Sequence, residues 1–323
     1  MSHPAAKRPR TDHDEDGQQP TEEKVSTGIR DKEAWFPDGN IDIVAEGIAF
    51  RVHRTVLSAQ SEVFRVMLSI PQPAATGDDG DFPVVKVTDS ADDMRHLLLV
   101  LYYRDESFRP QQKARFGVVS RLVRLAHKYE IQSVLDDAMG RIRVFYPSNL
   151  EDFLKVLKAP PSSPTLEHKN TDCFEVVQLA RLIGDNSLLP AAFYRCCQLK
   201  PGPSSANNRT RLSDEDMERC MAGRAYLANI SMLVKRAVLQ DGKTEDCFQD
   251  TCDDGLTRMT EGIESLMMIQ YSDTRCNALT CMEIDEYDEV LCGWCIASYK
   301  RRLLEVQKDI WNTLPERYIL NLK

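Results

Sequence analysis

The chain has 323 residues, 42% of them hydrophobic, which is enough for two ordinary domains, each with its own core. A formal charge of −9 and a pI near 5.3 remove any general electrostatic drive toward nucleic acid or an anionic membrane. Apolar runs such as His96 to Tyr103 fall well short of the roughly 20 residues that a membrane span requires.

Residues 1–34 are rich in charge, Pro, Gln, Gly and Thr and poor in large apolar side chains, so they are expected to form a disordered charged tail. The opening MSHPAAKRPR has no apolar core and is not expected to act as a secretory signal. Lys7-Arg8-Pro9-Arg10 is either a basic cluster for a nuclear import receptor or an inert charged stretch. The expected location is the nucleus or the cytoplasm.

Residues 35–145 read as the first folded unit. Ile41, Ile43, Ala45 and then Ile48, Phe50, Val52 recur at every second position, which predicts a hairpin with Glu46-Gly47 at its turn. After His53 the period becomes helical: Val56 and Leu57 lie one turn on, and Val63, Phe64, Met67 and Leu68 form the next apolar stripe. Pro71 to Asp81 reads as a polar loop and Phe82 to Val87 as a third strand. Ser90 is then placed to cap a helix that buries Met94, Leu97, Leu98, Leu101 and Tyr102. Residues 116–139 give two more amphipathic helices that break around Tyr129 to Gln132.

The ordered set Asp42, Gly47, Phe50, His53, Arg54, Val56, Leu57, Ser58, Ala59, Ser61, Phe64 and Met67 resembles the opening of a BTB/POZ domain. Leu122, Ala126, Lys128, Tyr129, Ile131 and Leu135 resemble its late helix pair. The resemblance implies an α+β fold and a non-enzymatic protein-interaction module, commonly self-associating as a dimer. It allows an adaptor that delivers clients to a cullin-type ubiquitin ligase, a regulator that binds transcription factors or corepressors, or a plain scaffold. It also places Asp42 and Arg54 beside a charged pocket for partners, although Asp42 and His53 have a purely structural reading as hydrogen-bonding supports for the strand end and helix head. Trp35, Phe36 and Ile41, at the start of the unit, are candidates for the surface that a partner covers.

Residues 146–323 read as a mostly helical region. Helical pieces are expected at Leu150 to Leu157, Cys173 to Ile183, Leu188 to Cys197 and Ser213 to Leu239, the last opened by a capping box between Ser213 and Asp216. Ala159 to Pro164 and Pro201 to Arg211 read as linkers, and no repeat of fixed period is present. Asp288 to Thr313 predicts a long terminal helix closed by Leu314-Pro315, with an apolar tail able to dock. This ending, with a cysteine pair upstream, is similar to that of fungal BTB-domain proteins.

All ten cysteines lie between Cys173 and Cys295, and in a cell-interior protein they read as buried thiols or metal ligands before disulfides. Cys247-x4-Cys252, Cys276-x4-Cys281 and Cys292-x2-Cys295 are paired spacings. A structural zinc is open to Cys292 and Cys295 with two of Cys247, Cys252, Cys276 and Cys281, and His168 is a remote alternative. A thioredoxin-like dithiol at Cys292 and Cys295 would need a preceding strand, which the acidic stretch before it does not suggest. No catalytic residue and no cofactor site are expected: Ser58 and Ser61 beside His53 sit inside a packing motif, and no glycine-rich phosphate loop occurs.

Overall fold

The computed structural model describes residues 24–25, 28–70, 82–103, 113–159, 165–199, 212–240, 242–245, 247–270 and 276–318. The basic cluster Lys7 to Arg10, the loop 71–81, most of the linker 159–164, all of the linker 201–211 and the tail 319–323 lie outside them.

A five-stranded sheet opens the chain, built from β1 (Lys24–Val25), β2 (Gly28–Trp35), β3 (Ile41–Ala45), β4 (Ile48–Val52) and β5 (Val84–Lys86) in the order β1-β2-β4-β3-β5. β3 and β4 pair antiparallel through a tight turn in which Glu46 and Gly47 both take positive φ, 48° and 79°. That conformation matches the twist of the two strands and favours glycine at the second position. The Glu46 carboxylate then accepts from the Ala91 backbone N–H at 3.0 Å, so the turn also caps the helix that begins there.

The tail assignment for residues 1–34 is corrected at its end. β2 runs parallel to β4, Ala34 is fully buried, and Asp31 is only 3% exposed. Few apolar side chains are needed here, because β2 gains its order from ladder hydrogen bonds to the edge of β4 and from the polar anchorage of Asp31.

The hairpin's inner face, with Ile41, Ile43, Phe50 and Val52, packs on α1 (Arg54–Gln60), α2 (Glu62–Ser69) and α3 (Ala91–Tyr103). α4 (Phe116–Lys128) and α5 (Gln132–Arg143) complete the unit. Ser61 joins its two ends: it accepts from the Phe64 N–H at 3.0 Å as the cap of α2, and its hydroxyl donates to the Tyr129 carbonyl at the end of α4. The Phe64 and Tyr129 rings stack directly beside it, 4.6 Å apart. Ser61→Ala removes a cap and leaves a buried carbonyl without its donor, so thermal unfolding should report a loss of about 1–3 kcal/mol. Ser58→Ala, at a partly exposed position, serves as control and should shift stability by at most about 0.5 kcal/mol.

Beyond α5 come α6 (Leu150–Lys158), β7 (Leu166–Glu167, parallel to β6 at Ala114–Arg115), α7 (Cys173–Ile183), α8 (Leu189–Gln198), α9 (Asp214–Leu239), α10 (Thr251–Gln270) and α11 (Gly293–Tyr318), with short 3-10 turns between some of them. The core is continuous from the sheet into these helices. α7 lies along α4, where Ser120 bonds Glu175 and Arg124 bonds Gln178 at 3.0 Å.

Three sequence expectations change here. Ser213 caps α9, but the Asp216 carboxylate does not close the box; it faces Arg181 and Arg219, each at 2.9 Å. The terminal helix starts at Gly293 rather than Asp288, because 285–287 form a separate 3-10 turn. It also continues through Pro315 to Tyr318: a proline this near the C-terminus removes one ladder bond, while buried Trp311 and Leu314 hold the last turns to the core.

Candidate interaction face and metal centre

The residues singled out at the front do not act as one group. Ile41 is fully buried, paired with Val52 on the inner face of the hairpin, so its expected role at a partner surface is withdrawn. Asp42 lies directly opposite Arg51 on the other face and accepts two bonds from its guanidinium, at 2.9 and 3.1 Å. The Arg51 guanidinium is also stacked between the rings of Trp35, at 4.4 Å, and Phe82, at 4.6 Å. Asp42 and Trp35 therefore fix this arginine against the sheet, which favours the structural reading of Asp42.

Phe36 stacks on Tyr102 with ring centroids 4.1 Å apart and lies 5.9 Å from Tyr103. His53 is drawn into the same cluster. Its backbone N–H donates to the Tyr102 hydroxyl at 2.6 Å, its ring Nδ1 lies 3.0 Å from the same oxygen, and its ring Nε2 is 3.2 Å from Asp38. Arg54 closes this end of the unit: its backbone N–H donates to the Asn40 side chain at 2.8 Å, and its guanidinium donates to the Leu68 carbonyl at 2.5 Å. Sequence reasoning missed Tyr103, which is 61% exposed although it follows a run of buried positions on α3. The signal was its place one residue past the buried stripe.

Of the six paired cysteines, four converge. Cys247, Cys252, Cys292 and Cys295 bring their Sγ atoms within 4.8 Å of one another. Cys247 lies in the turn after α9, Cys252 in the first turn of α10, Cys292 just before α11, and Cys295 in its first turn. Gly255 eases this meeting: a Cβ there would sit 3.0 Å from the Val290 carbonyl oxygen and 3.0 Å from the Leu291 side chain, so any other residue would push the 290–292 turn a few tenths of an ångström away from α10. The Cys292 N–H donates to the Cys252 Sγ at 3.2 Å. The Cys295 backbone N–H draws the Cys292 thiol down to about 7, while burial raises those of Cys252 and Cys295.

The third spacing does not join them. Cys276 points to the Arg224 carbonyl at 3.3 Å and Cys281 to that of Ala278 at 3.4 Å, and burial pushes the Cys281 thiol up to about 11. His168 is remote as well. It stacks on Phe145 at 4.6 Å, its Nε2 meets the Tyr146 hydroxyl at 2.7 Å, and burial lowers its pKa to about 4. The dithiol reading lacks its scaffold, since a 3-10 turn and not a strand precedes Cys292. Among the described residues, no helix is long and apolar enough to cross a membrane.

A hairpin feeding an αα pair, a third strand beside it and two later helices over one core define the class: a small α+β interaction domain. Residues 39–142 match the family model of the BTB/POZ domain, so this part of the chain is a BTB/POZ domain, a protein–protein interaction module, followed by a helical C-terminal region. No curated protein is similar enough to the chain to be matched.

Proposed function

We propose that the chain is a non-enzymatic adaptor or scaffold that self-associates as a dimer through the end of its BTB/POZ domain bearing Phe36, Tyr102 and Tyr103. The observation that carries this reading is Tyr103, 61% exposed and set against the half-buried, stacked Phe36. A large aromatic held on a rigid aromatic base loses little entropy when a partner covers it, and such residues dominate interface energies.

Sedimentation equilibrium of the full chain should give twice the monomer mass at micromolar concentration. Tyr103→Glu should raise the dimer dissociation constant by about 10–100-fold, the effect of losing about 1–3 kcal/mol at an anchor. A wild type that stays monomeric sinks the proposal, as does a variant that dimerises equally well. Purification from the native cell then separates the roles: a stoichiometric cullin supports client delivery by the helical region, whereas chromatin factors support transcriptional regulation.

A further inference from the structure

We propose that Cys247, Cys252, Cys292 and Cys295 bind one zinc ion as four thiolates, and that this ion pins the heads of α10 and α11 to the turn after α9. This stands apart from the reading of the BTB/POZ domain and concerns the helical region alone.

The geometry points to a shared centre. Zn–S bonds of about 2.3 Å at tetrahedral angles give S···S edges of about 3.8 Å. The Sγ atoms of Cys247 and Cys292 are 3.7 Å apart, and all four lie within 4.8 Å. A disulfide would bring two sulfurs to about 2.05 Å. The donor set consists of cysteines alone, which suits a soft tetrahedral ion and not calcium or magnesium.

Polar contacts on two of the sulfurs fix their positions. The Cys292 N–H is spent on the Cys252 Sγ at 3.2 Å, and the Thr244 hydroxyl lies 3.8 Å from the Cys295 Sγ. Such contacts orient ligands and stabilise thiolate. Cys252 and Cys295 each occupy the first turn of a helix, where the backbone dipoles favour negative charge. Lys243 is held nearby by Asp253 at 2.6 Å. Binding moves no electrons: each thiol gives its proton to solvent, four Zn–S bonds form, and the net charge of the site is that of one Zn²⁺ plus four thiolates. Because the ligands come from three separate segments, the ion adds a covalent tie across a loop of 40 residues, from Cys252 to Cys292, that hydrogen bonds such as Tyr299 to the Gly242 carbonyl at 2.8 Å already help to close.

The test uses the full chain, purified under reducing conditions without chelator. Elemental analysis should find about one zinc per chain. Stripping with chelator and denaturant, then refolding with Zn(II) alone, should restore it, and refolding with Co(II) should give the absorption of a tetrahedral tetrathiolate. Cys252→Ser should lose most of the zinc, and Cys281→Ser should keep it.

So that the result does not depend on the folding of Cys252→Ser, the wild type is also assayed alone. A thiol reagent added to the native chain should release the zinc, and unfolding without reductant should expose all ten thiols. The proposal is overturned by a refolded wild type that retains no zinc, by fewer than ten thiols in the unfolded chain, by bound iron in place of zinc, or by equal loss in Cys281→Ser.

Discussion

Phe153→Ala is expected to lower the stability of the chain by about 3–5 kcal/mol, the range for emptying a fully buried aromatic site. Phe153 on α6 is fully buried where three helices meet. Its ring lies edge-on to Tyr194 of α8 at 5.5 Å and 5.2 Å from Trp311 of α11. The Arg195 guanidinium sits 5.9 Å over the same ring. Tyr194 cannot swing in to fill the space, because its hydroxyl accepts the Leu279 N–H at 3.0 Å. The cavity therefore persists, and the cation loses the face it lay on. Urea unfolding followed by circular dichroism measures the loss. Leu304→Ala, at a position 40% exposed on α11, should change stability by at most about 0.5 kcal/mol. Equal effects for the two variants would mean that the three-helix junction does not carry this load.

Asp31→Ala should cost a comparable amount, about 3–5 kcal/mol at neutral pH, because it strands the donors that this buried carboxylate satisfies. Asp31 accepts from the Ala34 N–H at 2.8 Å, the Glu33 N–H at 3.0 Å and the Arg95 guanidinium at 2.7 Å. Arg95 is a quarter exposed, so solvent screens its share and places the loss toward the lower end. Burial alone would raise the Asp31 pKa; Arg95 and the two backbone N–H groups outweigh it and hold the carboxyl below its usual range. A carboxyl depressed in the fold contributes stability that is present above its unfolded pKa of about 4 and lost as pH falls through the folded value, since the unfolded chain takes up the proton first. Melting temperatures of wild type and Asp31→Asn should therefore differ most at neutral pH and converge in acid. Parallel curves at all pH values would show that the charge of Asp31 does not matter.

What the sequence revealed, and what it concealed, follows the range of the forces involved. The hairpin, the αα pair and the break at Tyr129 are written in periodicities of two and of three to four residues, which local physics enforces. β2 was invisible because GIRDKEAW has no such period, and its order comes from β4 and from Arg95, 64 residues away. α10 was passed over for a similar reason. Its apolar positions Cys252, Leu256 and Met259 do repeat at helical spacing, but they are interleaved with charge and interrupted by Gly255. The cysteine spacings named six candidates without choosing among them. That choice was made by topology, in the close approach of Val290 to Gly255, which no spacing encodes. Ile41 was misplaced because alternation gives the two faces of a strand but not which of them is covered.

The continuous core has a practical meaning for anyone who divides the gene. Phe145 and Tyr146, just beyond the matched family segment, are buried against His168, and Val119, Leu122 and Val123 of α4 share one core with α7. A fragment that stops at residue 142 would lack Phe145 and Tyr146, would present Val119, Leu122 and Val123 to water, and would tend to precipitate or to oligomerise through the wrong face. Its apparent stoichiometry would then describe the cut and not the protein.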